Sequence, residues 1–301
     1  MKFLFAVIVF IPNLVIGQTA EAYFKKGLAK SKIQDYKGAI SEYNKSLEID
    51  SNNANTYFNR GFAKDNLQDI VGAIKDYSKA IQVDPKFESA YYNRGVLKAK
   101  IKDYIGAIED YNEVIKINPN DVDAYYNRGN AKEDLQDYEG AIADHSKAIE
   151  INPKFESAYY NRGTLKAKLL NYIGAIDDYD KAIEINPKDA RVYYNRGYSK
   201  EQLQDQKGAI TDYSKAIEIN PKLFEAFLNR GILKANFREF KDALSDFTKA
   251  IEINPNLSMA YSNRGMVEII IGQKDNGCLD LNKAVELGNE RAKELIREYC
   301  N

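Results

Sequence analysis

The sequence predicts an all-α solenoid, in which short antiparallel helix hairpins stack one on another. Glycines recur at equal intervals from Gly27 through Gly61 and Gly95 to Gly265, and six of the seven prolines follow the same interval. Each repeat also holds two segments in which apolar residues recur at helical spacing. One hairpin cannot cover its own apolar face, so neighbouring repeats must stack. Nothing is inserted between the repeats, which predicts a single repeat domain.

The first segment, 1–17, has the pattern of a secretory signal peptide. Lys2 is followed by the apolar run Phe3–Ile16, and Gly17 precedes a cleavage site. A membrane-spanning helix needs about 20 apolar residues, and this run is shorter and interrupted by a proline and an asparagine. We therefore expect export to the periplasm or the medium, with residues 18–301 forming the solenoid. An uncleaved anchor or a buried first helix are the alternatives.

The repeat 88–121 illustrates how each hairpin is built. Ala90, Leu97 and Ile101 lie on the apolar stripe of its first helix, and a turn at Lys102 leads into the second helix, which Pro119 ends. The eight predicted repeats are 20–53, 54–87, 88–121, 122–155, 156–189, 190–223, 224–257 and 258–291. A further capping helix is expected at about 289–300.

The order of residues within one repeat resembles the tetratricopeptide repeat family, whose repeats are about 34 residues long. An aromatic residue, a glycine, then tyrosine, alanine, tyrosine, alanine and proline follow one another before the pattern starts again. The resemblance covers residues 20 to 291 and implies a right-handed superhelical solenoid. It further implies that the first helices line an inner, concave surface and that the protein binds other proteins.

An arginine and an aspartate, at a constant spacing, are predicted to form an ion pair within each repeat. The arginine lies on a mostly apolar helix face, where an unpaired charge is costly. The predicted pairs are Arg60 with Asp76, Arg94 with Asp110, Arg128 with Asp144, Arg162 with Asp178, Arg196 with Asp212, Arg230 with Asp246, and Arg264 with Asp280. Lys26 and Glu42 take these places in the first repeat. We expect these pairs to be structural.

One asparagine of each first helix falls on the opposite line, and some members of the family similarly hold an extended peptide with such a row. An amide offers both a donor and an acceptor to a peptide backbone, and aromatic side chains beside it are common binding anchors. The candidate peptide-binding residues are Asn59, Asn93, Asn127, Asn161, Asn195, Asn229 and Asn263, with Phe58, Tyr92, Tyr126, Tyr160 and Tyr194. The alternative is that these side chains only join neighbouring helices.

Composition argues against other functions. A formal charge of −1 offers no general field for nucleic acid or membrane. The one histidine, His145, replaces a core tyrosine of the other repeats, so neither catalysis nor a metal or cofactor site is predicted. Lys25 and Arg191 are too few to clamp a partner's terminal carboxylate as some family members do. A protein partner is therefore expected, with a structural assembly subunit and, distantly, an RNA-binding repeat as alternatives.

Both cysteines lie near the C-terminus. Cys278 is expected to start the second helix of the eighth repeat, level with Cys300 on the capping helix. An exported chain would meet an oxidising compartment, where such a pair persists as a disulfide. A buried free Cys278 and a frayed Cys300 are the alternative.

Overall fold

The computed structural model describes residues 19–300, so the predicted signal peptide, 1–17, lies outside the described residues. Within 19–300 the chain forms seventeen α-helices and no strand, which confirms the all-α prediction. The chain divides into two compact units, with a boundary between Ala131 and Lys132. None of the helices in the described part is long and apolar enough to cross a membrane.

The helices of each unit follow one another in antiparallel pairs. The helices that begin in the first unit are α1 Ala20–Lys32, α2 Tyr36–Ile49, α3 Ala54–Asn66, α4 Ile70–Val83, α5 Glu88–Lys100, α6 Tyr104–Ile117 and α7 Val122–Asp134. The helices of the second unit are α8 Tyr138–Ile151, α9 Glu156–Lys168, α10 Tyr172–Ile185, α11 Ala190–Gln202, α12 Gln206–Ile219, α13 Phe224–Asn236, α14 Phe240–Ile253, α15 Ser258–Ile270, α16 Lys274–Glu286 and α17 Glu290–Tyr299.

The hairpin turns share one geometry, which α5 and α6 illustrate. Lys102 has φ of 65°, in the left-handed region, and lets the chain reverse in a tight turn. Asp103 then caps α6, because its side chain accepts a hydrogen bond from the backbone N–H of Gly106 at 3.0 Å. The second helix ends at Ile117, just before Asn118 and Pro119, as the restriction on residues preceding proline requires.

The core of a hairpin depends on a glycine facing an aromatic ring. A Cβ atom placed on Gly95 would lie 2.9 Å from the Tyr111 ring and 3.3 Å from Cβ of Asp110, so only glycine allows this approach. Tyr111 and Ala107 are fully buried between the helices. In contrast, Ile101, which lies at the C-terminal end of the predicted apolar stripe, is 50% exposed. It caps the end of α5, where the stripe leaves the hairpin interface.

In the eighth repeat the two helices contact each other through their backbones at a pair of glycines. A Cβ atom on Gly265 would lie 2.7 Å from the carbonyl oxygen of Gly277, so both helices contribute a glycine to a backbone contact. The alanine of other repeats would not fit at position 277. The second helix, α16, begins at Lys274, so the expectation that Cys278 starts it was wrong.

The capping helix α17 covers the last hairpin. Ala292 is fully buried and packs with Leu281 and Ala284 of α16. Cys278 and Cys300 form a disulfide that joins α16 to the end of α17, with their Cα atoms 5.8 Å apart. The closed loop restricts the unfolded chain and therefore stabilises the cap.

Candidate functional site

The arginine of the repeated Asn-Arg-Gly motif is held by a buried carboxylate. Nε of Arg94 donates to Oδ2 of Asp110 at 2.9 Å, and Nη2 donates to Oδ1 at 2.6 Å. This two-bond arrangement is the strongest geometry available to an arginine and a carboxylate. Asp110 is only 2% exposed, so its charge depends on this partner.

From the second repeat onward, the same two-bond pair occurs in every repeat whose partners lie within one unit. These pairs are Arg60–Asp76, Arg94–Asp110, Arg162–Asp178, Arg196–Asp212, Arg230–Asp246 and Arg264–Asp280. Each is the pairing that the constant spacing predicts. Arg128 and Asp144 belong to different units, so their pairing stays a prediction. In the first repeat, Lys30 Nζ donates to Glu42 at 2.8 Å and lowers the pKa of that carboxyl group.

Two further contacts complete the surroundings of the arginine. Lys98 Nζ lies 2.9 Å from Oδ2 of Asp110, so this carboxylate forms ion pairs with both Arg94 and Lys98. The remaining donor, Nη1 of Arg94, bonds Oγ of Ser78 in the preceding repeat at 2.9 Å. The arginine therefore joins the two helices of its own hairpin and the hairpin before it.

The acceptor in the preceding repeat and the aspartate of the same repeat lie at equal sequence separations from the arginine, one before it and one after it. Within the two units these acceptors are Asn44, Ser78, Asn112, Ser146, Asp180, Ser214 and Thr248. All seven are polar, and this regularity is visible in the sequence. Only the aspartate that follows the arginine was predicted as its partner, so this link to the preceding repeat was missed.

The asparagine row is partly engaged with the tyrosine row. Nδ2 of Asn127 donates to the hydroxyl of Tyr92 in the preceding repeat at 2.9 Å. Asn195 likewise donates to Tyr160 at 3.1 Å, and Asn229 donates to the hydroxyl of Tyr194, again one repeat earlier, at 3.3 Å. These tyrosines are half-buried, so their side chains are only partly exposed to solvent. A primary amide still has one N–H and a carbonyl oxygen with which to bind a ligand.

The end positions of the row have a different contact. Asn59 and Asn263 each donate to the carbonyl oxygen one turn earlier in their own helix, at 2.8 and 2.9 Å. Both are half-buried, as are Asn93 and Asn161. Phe58 packs on the ring of Phe87 with 4.9 Å between centroids. The tyrosine-linked part of the row thus lies in the middle repeats.

Cavities open along this row in each unit, and one from each unit illustrates their composition. The cavity of the first unit has a volume of about 320 Å³ and is lined by Phe58, Tyr92 and Asn93 among others. The cavity of the second unit measures about 390 Å³, and Asn195 and Tyr198 contribute to its wall. Each cavity therefore combines an aromatic surface with an amide of the row.

The basic residues beside the row are neutralised by the chain itself. Arg191 makes a two-bond ion pair with Asp189, with Nη2 to Oδ2 at 2.6 Å. Lys25 lies 3.2 Å from Glu21. Burial raises the pKa of Glu133, and the positive charge of Lys168 opposes this rise.

His145 is a core residue, as the sequence predicts. It is fully buried, and burial lowers its pKa to about 4. Asp144 opposes this shift, and the positive charge of Arg162 adds to it. The imidazole is therefore neutral at physiological pH.

Family comparisons decide the identity of the repeats. A tetratricopeptide repeat model matches residues 122–155, 157–189 and 190–223. A second model, described as a TPR repeat, matches residues 27–68, 66–102 and 100–136. Together the matches span more than half of the chain. The chain belongs to the tetratricopeptide repeat family. Proteins of this family mediate protein–protein interactions, and this family membership is the basis for a binding role.

Solved structures of the tetratricopeptide repeat family share the fold. YrrB, whose structure is described as a TPR protein with an unusual peptide-binding site, is 25% identical, with a TM-score of 0.56 over 62% of this chain and 97% of its own. The C-terminal part of a TPR repeat-containing protein from Cytophaga hutchinsonii is 20% identical, with a TM-score of 0.71 over 80% of this chain and 98% of its own. A protein from Parabacteroides merdae is 21% identical, with a TM-score of 0.58 over 82% and 99%. No curated protein matches the chain significantly.

Removing one arginine should destabilise the second unit of this tetratricopeptide repeat protein. We expect Arg162→Met to lower the free energy of unfolding by about 3 kcal/mol, because Asp178 loses two of its donors while staying buried. The measurement is urea unfolding followed by circular dichroism. Lys181→Met is the control, since Lys181 forms an exposed pair with Glu184 that is worth less than about 1 kcal/mol. Equal effects of the two substitutions would contradict a structural role for Arg162.

The buried histidine should make stability depend on pH. Its folded pKa of about 4 lies below the ordinary value of 6.5, so protonation favours the unfolded chain. The wild type should therefore lose stability as pH falls from about 6.5, by about 3 kcal/mol once pH 4 is reached. The variant His145→Tyr carries the residue found in other repeats and should lack this loss. Parallel curves for the two proteins, from urea unfolding between pH 7 and pH 4, would count against it.

Proposed function

We propose that this protein is an exported interaction scaffold that holds an extended segment of a partner protein along its asparagine and tyrosine row. The observation that carries the proposal is the repeated bond from an asparagine amide to the tyrosine of the preceding repeat. Asn127, Asn195 and Asn229 are each oriented by this bond. Orienting a side chain before binding reduces the entropy that is lost when a ligand arrives.

The geometry of the row suits a peptide backbone. An amide with one N–H bonded to a tyrosine retains one donor and one acceptor, which match the C=O and N–H of an extended chain. Half-buried aromatic rings beside the amides, such as Tyr92 and Tyr160, add apolar area without demanding one sequence. The resemblance to YrrB, which is described as having a peptide-binding site, supports the same role.

The test uses a phage-displayed library of random dodecapeptides, panned against the full chain. A synthetic peptide of the selected sequence is then titrated by fluorescence polarisation against wild type and against Asn127→Ala/Asn195→Ala/Asn229→Ala. Loss of a peptide hydrogen bond at each position should weaken binding at least about tenfold in total, since each is worth about 1 kcal/mol.

The matched control for this test is Lys181→Ala/Lys215→Ala/Lys249→Ala. These lysines occur once per repeat on the second helices and pair with glutamates in the next turn. The control should bind as the wild type does, and circular dichroism checks that both triple variants are folded. Binding that survives loss of the asparagines would exclude the row as the peptide site.

A second candidate function is a structural assembly subunit that uses its outer surface. Val71 and Ile105 occupy the same place on α4 and α6, and they are 78% and 65% exposed. Two large apolar side chains repeated on the second helices favour a contact there with another protein. In this case the asparagine variant would keep its partner, so the same titration separates the two functions.

Export is the remaining part of the proposal. The signal-like segment 1–17 supports it, and so does the disulfide between Cys278 and Cys300, since such bonds persist in oxidising compartments. Mass spectrometry of the protein from its native host should find a mature chain that begins at Gln18, with both cysteines oxidised. Recovery from the cytosol with Met1 and two free thiols would refute it.

A further inference from the structure

The chain contains two copies of one local arrangement, two repeats apart, which differ at a single informative position. The segment Pro-Lys-Phe-Glu-Ser-Ala-Tyr-Tyr-Asn-Arg-Gly occurs at 85–95 and again at 153–163. The term first-copy site refers here to Glu88, Tyr92, Asp121 and Asp123. The term second-copy site refers to the corresponding residues Glu156, Tyr160, Asp189 and Arg191. Three of the four residues are the same, and an aspartate in the first copy corresponds to an arginine in the second.

In the second-copy site the chain supplies its own cation. The guanidinium of Arg191 lies over the Tyr160 ring, with Cζ 4.9 Å from the centroid. The same group donates to Asp189 through Nε at 3.1 Å and Nη2 at 2.6 Å. Hydrogen bonding from Arg191 lowers the pKa of Asp189. A ring face and a carboxylate in this arrangement thus bind a guanidinium.

In the first-copy site the arginine is replaced by Asp123, which is exposed. A cavity of about 320 Å³ lies there, and its wall includes Glu88, Tyr92, Asp121 and Asp123. Asp121 accepts the backbone N–H of Ala124 at 2.7 Å, which orients its carboxylate. Glu88 accepts from an uncharged asparagine amide. None of these three carboxylates forms an ion pair among the described residues.

We propose that the first-copy site binds the guanidinium of an arginine side chain in the partner segment, at the position that Arg191 fills in the second-copy site. The proposal rests on the proposed function and adds to it a chemical class of partner, a basic peptide. The Tyr92 ring supplies the π face, and Asp121 and Asp123 supply the negative charge. A guanidinium is favoured over an ammonium because it is planar, stacks on aromatic rings and makes two-bond contacts with carboxylates.

The electrostatics of the tyrosine agree with this geometry. Burial raises the pKa of Tyr92, and the charges of Asp123 and Asp121 raise it further. A cation over the ring would meet both a π face and a negative local potential. At the second-copy site, the positive charge of Arg191 opposes the rise that burial and Asp189 cause in the pKa of Glu156.

The test is a pair of reciprocal substitutions that exchange the two copies. Asp123→Arg should fill the first-copy site from within, and Arg191→Asp should open the second-copy site. The probes are two fluorescent dodecapeptides of the sequence selected above, identical except for a central arginine or the uncharged isostere citrulline. Wild type should prefer the arginine peptide about tenfold at low salt, and the preference should fall as ionic strength rises.

Asp123→Arg should abolish the preference for arginine, and Arg191→Asp should increase it. The matched control is Glu109→Arg, which makes the same change of charge at an exposed position of the second helix α6 and should leave the preference intact. Equal binding of the two peptides by wild type would overturn the proposal, and so would an equal effect of Asp123→Arg and Glu109→Arg. The latter result would indicate only a general electrostatic attraction.

A small probe separates this proposal from the proposed function. Saturation-transfer NMR with N-acetyl-arginine methylamide tests the site with a single residue in place of an extended peptide. Signal in the wild type that is lost in Asp123→Arg, and absent for the citrulline analogue, supports the site even if no dodecapeptide binds. Peptides that bind through the asparagine row with no preference for arginine would keep the scaffold and exclude this site. The absence of both signals would exclude both.

Discussion

The buried aspartate of each repeat is the constraint on which the rest of the structure depends. Asp110 is removed from water and must be compensated by Arg94 and Lys98. Because a second donor group of the arginine reaches Ser78 in the preceding hairpin, the compensation extends across the repeat boundary. A buried ion pair contributes no more to net stability than good apolar packing would. Loss of one partner, however, strongly destabilises the folded protein, because the other charge stays buried without compensation. We infer that it selects one way of stacking the hairpins.

This constraint divides the repeated motif between packing and recognition. The arginine is used completely, since Cζ of Arg94 also lies 5.6 Å from the Tyr91 ring centroid. The glycine cannot be replaced by a larger residue, because the aromatic ring of the second helix packs directly against it. Only the second aromatic residue and the asparagine of the motif contribute side chains to the asparagine and tyrosine row. Even there, a hydrogen bond such as that from Asn127 to Tyr92 uses one donor, so recognition depends on the groups that this bond leaves over.

The sequence predicts what depends on contacts within one hairpin. The period of the glycines, the proline positions and the constant spacing between Arg94 and Asp110 all report on two helices joined by a short turn. The bond from Asn127 to Tyr92 crosses from one repeat to the next and depends on how adjacent hairpins stack, which no local pattern contains. The exposure of Ile101 and the contact of Gly265 with Gly277 also required coordinates, because they depend on where a helix ends and how closely two backbones approach.

Repetition of this kind allows the two copies to differ in what they bind without differing in fold. The positions that carry the ion pairs are buried and fixed, whereas position 191 lies in the first turn of its helix with a side chain that is 66% exposed. Exchange of aspartate and arginine at such a position costs little in packing. It reverses the charge beside an aromatic ring, however. It therefore determines whether the cation that contacts the ring comes from the chain itself or from a partner. A stack of similar hairpins can in this way acquire a direction and a register for a ligand through substitutions at a few exposed first-turn positions.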